Sequence, residues 1–156
     1  MRIDVITIFP KMLEPVLGES IIKKAQEKKV VEINIVDLRF FSKDKHRKVD
    51  DKPFGGGPGM VMGPEPFFEA VNYIRRKTKD HRLKTRTILL SPRGKKLDQA
   101  LALKLSKYEH VVLLCGHSMA ILSSPILYSL TESLNKDMLR FFLAMSESWA
   151  IARERA

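Results

Sequence analysis

The stretch "HVVLLCG", His110 to Gly116, decides the fold. Five consecutive apolar residues, Val111 to Cys115, stand between a histidine and a glycine. The run is too short for a buried helix and has no polar alternation. It therefore reads as a strand covered on both faces, the signature of a parallel sheet. Working back from it, Asp98 to Lys107 predicts a helix with Leu101 and Leu105 on one side. "TRTILLS", Thr85 to Ser91, predicts another strand, and "PRGKKLDQ" a turn between strand and helix. Further upstream, Phe67, Phe68, Val71 and Ile74 give an apolar helical face that Pro64 and Pro66 can open. "VVEINIVDL", Val30 to Leu38, and "RIDVITI", Arg2 to Ile8, predict two more strands. Between those two, Leu13, Val16, Leu17, Ile21, Ile22 and Ala25 recur at helical spacing, predicting one helix over 11–29. The order β-α-β-loop-α-β-α-β predicts an α/β domain with a mostly parallel sheet. Ligands in such sheets lie at the carboxyl ends of strands, so "LLSPRG" and "LLCGH" become candidate binding turns.

Downstream the pattern changes. Ser124-Pro125 resembles a helix start, and Leu127, Leu130, Leu134, Met138, Phe141, Met145, Trp149 and Ala152 then step by three or four. This predicts an amphipathic C-terminal helix. The domain division is accordingly 1–122 for the α/β unit and 123–156 for a helical tail.

The 156 residues suffice for one domain, and the hydrophobic content of 44% suits a globular chain. No secretory leader or apolar membrane span is visible, and the single cysteine excludes an internal disulfide; a cytoplasmic protein with no membrane partner is expected. The charge is more telling: 28 Lys+Arg against 18 Asp+Glu, a formal +10. The excess clusters in Arg39–Lys48 and in Arg75–Arg86, which points to a nucleic acid ahead of an anionic membrane. His46, His81 and His110 lie among charges and are expected to be solvated. His117 has no ligand-type neighbours, so no metal is expected, and Cys115 is expected to fill core.

"DDKPFGGGPGMVMGPEP", Asp50 to Pro66, holds five of the eight glycines and four of the eight prolines. It lacks the Gly-Lys-Ser/Thr of a phosphate loop, and Met60 occupies the third glycine position of a dinucleotide fingerprint. What remains is a loop of backbone N–H groups with little side-chain bulk, flanked by His46, Arg47, Asp50 and Asp51. Such a loop can cradle an anion, lie against a base, or serve only as a tight turn. Asp50 can orient a basic side chain, accept from a nucleobase, or simply solvate the loop.

Taken in order, "RIDVITIFPKML", "GESIIKKAQEK", "INIVDLR", "DKHRKVDDKPFGGGPGMVMGPEPFFEAV", "ILLSPRGKKLDQALALKLS" and "VLLCGH" resemble the TrmD family, the bacterial tRNA (guanine-N(1)-)-methyltransferases. The resemblance runs from Met1 to about His117. It implies methyl transfer from S-adenosylmethionine to N1 of guanosine 37 in tRNA. It also implies a knotted, SPOUT-type α/β fold and a homodimer with active sites between subunits. Leu90, Ser91, Pro92, Gly94 and Gly116 match the positions that pack around the cofactor. His46, Arg47, Asp50, Gly55, Gly56, Gly57, Pro58, Gly59 and Met60 match the block that faces the target base and tRNA. After Gly116 the chain departs from the pattern. Ser118 and Met119 stand where the family has a tyrosine and a glutamate, and "ILYSLT", Ile126 to Thr131, resembles it again. A later cofactor loop and the family's aspartate base have no counterpart, so no catalytic residue is assigned. The expectation is an incomplete cofactor site in a shortened chain, from a coding sequence interrupted after residue 116. The alternative function is a non-catalytic RNA- or cofactor-binding module; a tail helix that packs on a partner is a third.

Overall fold

A computed structural model of the chain describes residues 1–52, 60–78, 83–116 and 132–134, with the backbone alone at 91–93 and 132–134. Its centre is a five-stranded sheet in the order β2-β1-β6-β5-β7. The strands are β1 (Arg2–Thr7), β2 (Glu32–Asp37), β5 (Thr85–Lys95), β6 (His110–Cys115) and β7 (Glu132–Leu134). Every pairing in it is parallel. The parallel α/β architecture predicted from "HVVLLCG" is what forms.

Side-chain parity divides the core in two, because successive strand residues point to opposite faces. Ile3, Val5, Ile88, Leu90, Val111 and Leu113 pack on one face with Leu13, Leu17, Ile22 and Leu105. These last come from α1 (Pro10–Leu17), α2 (Ser20–Glu27) and α4 (Gln99–Leu105). Ile6, Leu89, Val112 and Leu114 pack on the other face with Phe67, Ala70 and Ile74 of α3 (Glu65–Lys77). Leu38 from the 3-10 helix Leu38–Phe41 joins them. Each such aliphatic or aromatic side chain, once buried, contributes about 1.5–3 kcal/mol. A second, two-stranded antiparallel unit joins β3 (Asp50–Asp51) to β4 (Val61–Met62), pairing Asp50 with Met62 and Asp51 with Val61.

Four expectations are corrected. The predicted helix over 11–29 is two helices. Pro15 removes an amide from the first, Gly18 closes it by donating to the Glu14 carbonyl at 3.0 Å, and Ser20 is left-handed at φ 53°. Gln26 Nε2 then donates to the Leu17 carbonyl at 2.8 Å, tying α2 back to the end of α1. The third predicted strand does not stop at Ser91 but continues through Lys95. Its ladder nevertheless breaks there: Leu90 and Lys95 both pair with Leu134, so four residues, Ser91–Gly94, are looped out against one on β7. The expected turn is thus a bulge inside β5. In the tail, Glu132–Leu134 is strand rather than helix. Pairing with Ile88–Leu90 overrides the local apolar spacing. The rest of the predicted tail helix lies outside the described residues. Finally, His110 is not solvated: it is 1% exposed.

Helix ends follow the sequence. Asp98 caps α4 by accepting from the Leu101 amide at 2.7 Å. Pro66 sits in the first turn of α3, and Arg75, Arg76 and Lys77 face the negative end of its dipole.

Candidate methyl-transfer site

The carboxyl-terminal edge of the sheet is formed where Thr7, Leu90 and Cys115 lie in register on adjacent strands. Leu90, buried, pairs with Cys115, so Gly116 follows directly beside the start of the Ser91–Gly94 bulge. The cofactor-side candidates Leu90, Ser91, Pro92, Gly94 and Gly116, scattered over 27 positions of sequence, thereby meet at one edge. Ser91–Gly94 have no ladder partner on β6, whose pairing ends at Leu90, and β7 takes up again only at Lys95. Backbone groups without a ladder partner must find another one. The Phe9 amide donates to Thr7 Oγ1 at 3.1 Å, turning the chain away from the same edge. Burial pushes the Cys115 thiol up to about 12. It carries no thiolate at neutral pH, and the core-filling reading of this residue agrees.

Of the base-side candidates, Asp50 lies between Val49, which packs on the α3 face, and its own pairing partner Met62, which does the same. Asp50, half-buried, sits in β3, and the Gly63 amide donates to the Val49 carbonyl at 2.9 Å to close the two-stranded unit. A cleft of about 870 Å³ opens there, lined among others by Lys48, Asp50, Asp51, Lys52, Met62 and Glu69. His46, Arg47 and Met60 are exposed. Gly55, Gly56, Gly57, Pro58 and Gly59 lie outside the described residues. The described lining of this cleft includes none of Leu90, Gly94 or Gly116. Among the described residues the two candidate groups therefore share no described cavity.

His46 and Arg47 stand on a built turn. The Asp44 carboxylate accepts from the His46 amide at 2.8 Å and the Lys48 amide at 3.3 Å, which hold it below the usual carboxylate range. Ser42 Oγ donates to the Lys48 carbonyl, and Arg47 adopts a left-handed backbone at φ 55°.

Sequence reading missed a buried polar network at the opposite, amino-terminal edge. Asp4, 1% exposed, accepts from His110 Nε2 at 2.6 Å. It also accepts from Arg2 Nε at 2.9 Å and Nη2 at 3.1 Å. His110 Nδ1 faces Thr85 Oγ1 at 3.3 Å. Burial pushes the Asp4 carboxyl up, but the hydrogen bonds from His110 and Arg2 outweigh it and hold it below its ordinary value. The signal was parity: Asp4 shares a face with Ile6, and His110 with Val112 and Leu114. A groove of about 860 Å³ lies at this edge, lined by Met1, Arg2, Lys29, Lys107 and Tyr108 among others. Among the described residues no group of His, Cys, Asp and Glu could hold a metal ion, and no helix is long and apolar enough to cross a membrane.

A parallel sheet flanked by helices, with a looped-out segment and a glycine at its carboxyl edge, defines an α/β domain of the kind that places ligands at that edge. Its relatives narrow the class. The sequence profile of the family described as tRNA (Guanine-1)-methyltransferase TrmD matches residues 1–123. A tRNA (guanine-N(1)-)-methyltransferase of Limosilactobacillus reuteri is 47% identical over 117 residues, covering 75% of this chain and 46% of the relative. One from Ruminiclostridium cellulolyticum is 50% identical over 117 residues, covering 75% and 49%. The crystal structure of tRNA (m1G37) methyltransferase from Aquifex aeolicus superposes with a TM-score of 0.80 at 30% identity, over 94% of this chain and 69% of that one. This chain belongs to the TrmD family. The match spans about half the length of the curated relatives.

Proposed function

We propose that the chain supplies the cofactor and guanine sides of an S-adenosylmethionine-dependent enzyme that methylates N1 of guanosine 37 in tRNA. The observation that carries this is the meeting of Leu90, the Ser91–Gly94 bulge and Gly116 at one sheet edge, in a chain of this family. The bulge offers backbone donors and acceptors free of the ladder, and Gly116 adds no side chain to the space beside it. Both suit an adenosine, whose ring edge is neutral. When bound, S-adenosylmethionine supplies a methyl group already activated on a sulfonium, which needs no metal to be electrophilic.

The protein's share is positioning and proton handling. The Watson–Crick edge of guanine presents two adjacent donors, N1–H and the exocyclic amine. A carboxylate has two acceptor oxygens that match them. Asp50, held in β3 and lining the cleft, is the group we assign to that edge: it takes the N1 proton, and the N1–methyl bond forms as the methyl–sulfur bond breaks and its electron pair stays on sulfur. The glycine-rich segment after it leaves room for a flat base. The basic residues of Arg39–Lys48 attract the phosphates around it. The working form is a cytoplasmic homodimer.

The test is calorimetric titration of S-adenosylmethionine followed by methyl-transfer assays on tRNA transcripts with G or A at position 37. Binding with transfer to G alone supports the assignment. Binding without transfer favours the non-catalytic module, the reading motivated by Ser118 and Met119. Binding of neither S-adenosylmethionine nor tRNA would sink both.

A further inference from the structure

A single exposed apolar side chain is ordinary, but an exposed ring held under a cation by a built turn is a binding surface in waiting. Phe40, in the 3-10 helix, is 69% exposed, although Leu38 two residues earlier is fully buried. The Arg47 guanidinium carbon lies over its ring, 5.4 Å from the centroid. Arg47 is set there by the turn that Asp44 and Ser42 hold, in a left-handed backbone that a non-glycine residue adopts only when its surroundings impose it. Next to Phe40, Phe41 packs on Tyr73 of α3 with centroids 5.4 Å apart, and Lys77 Nζ lies 5.4 Å from the Tyr73 centroid. One aromatic–cation pair thus lies on the 3-10 helix and a second on the helix α3 that Phe41 packs against. Lys43, Lys45 and Lys48 are exposed around them, while Asp44 is occupied by backbone amides. Phe41, Ser42, Lys43 and Lys48 also line the cleft that holds Asp50.

We infer that Phe40, held under Arg47, is a stacking shelf for an unpaired nucleobase of the RNA, beside the guanine that enters the Asp50 cleft. Rings beneath cations, with free lysines at the rim, match what single-stranded nucleic acid presents: flat bases joined by phosphates. An acidic protein would satisfy the lysines but would leave the open ring face unused. The inference rests on the tRNA reading above and extends it to a residue outside the glycine block. Phe40 is a positioning residue: it touches a neighbouring base and not the reacting atoms.

The experiment measures the affinity of the full chain for an anticodon stem-loop RNA carrying G at position 37, by fluorescence anisotropy. Wild type, Phe40→Ala and Phe40→Tyr are compared, with S-adenosylmethionine affinity and thermal midpoint as controls. Loss of one stacked base weakens binding about ten-fold in Phe40→Ala. Phe40→Tyr keeps the ring and stays within about two-fold of wild type, and cofactor affinity and midpoint do not move. Displacement of the RNA by poly-glutamate is weak. If Phe40→Ala binds RNA as wild type does, the shelf is overturned and the tRNA reading stands. If Phe40→Ala loses poly-glutamate binding as much as RNA binding, the site reads charge and not bases, and the shelf is again overturned. If wild type binds no RNA, the tRNA reading falls and the shelf with it.

Discussion

At the amino-terminal edge of the sheet, β1, β5 and β6 begin in register with Arg2, Thr85 and His110. At the carboxyl-terminal edge the same strands reach Thr7, Leu90 and Cys115 together. The first edge is closed by charge. Asp4 and His110 are both 1% exposed, and Arg2 and Thr85 complete their hydrogen bonding. The second edge sheds its ladder at Ser91–Gly94, where Leu90 and Lys95 both pair with Leu134. The grooves flanking the molecule do not separate structure from function by size, since that at the amino edge and that beside Asp50 are about 860 and 870 Å³. Chemistry separates them. A network whose members satisfy one another has little left to offer a ligand, whereas backbone freed from a ladder must find a partner.

The contrast can be broken most strongly at the closed edge. Asp4→Ala leaves His110 buried without its carboxylate, and denaturant unfolding is expected to show a loss of about 3–5 kcal/mol. The paired change Asp4→Val with His110→Leu recovers most of it, because no buried charge remains. Recovery absent in the double variant would mean that the pair does more than fix the fold. On the other side, Asp50→Ala is expected to lower methyl transfer to G37 tRNA about 10²–10³-fold, with the thermal midpoint nearly unchanged. An equal loss of stability would make Asp50 structural.

The pH dependence sharpens the closed edge further. The folded-state pKa of Asp4 is depressed, so its stabilisation is fully present above the unfolded carboxylate value near pH 4 and is lost as pH falls through the lower folded value. Wild type should therefore lose stability more steeply below about pH 4 than Asp4→Asn, as followed by unfolding at a series of pH values. The smallest effect is expected at Cys115. With its thiol pushed up to about 12, alkylation by iodoacetamide in the native state at neutral pH should be barely measurable, and rapid once the chain is unfolded.

The sheet was legible because "VVLLC" leaves few alternatives: a short run apolar on both parities must be covered on both faces. Spacing predicts one helix over 11–29 because Leu13, Leu17, Ile21 and Ile22 keep helical spacing across the break. Periodicity does not register that Pro15 and the left-handed Ser20 interrupt the backbone. His110 has charged sequence neighbours, whereas its partner Asp4 lies 106 residues away. Such a pair is visible only once the register of β1 and β6 is known. In the same way, Leu90 and Gly116 follow from motif resemblance, but their adjacency is a fact of strand pairing. The Phe40 shelf depends on a turn held by Asp44, which no hydrophobic pattern marks.

The central claim is that ligand binding belongs to the carboxyl edge and structure to the amino edge. Amide hydrogen exchange of the full chain, with and without saturating S-adenosylmethionine, tests it most directly. The prediction is slowed exchange at 88–95 and 113–116, with 1–4 and 108–111 unchanged. Slowed exchange confined to the groove around Arg2, Lys107 and Tyr108, or no change at the carboxyl edge when calorimetry shows binding, would contradict it.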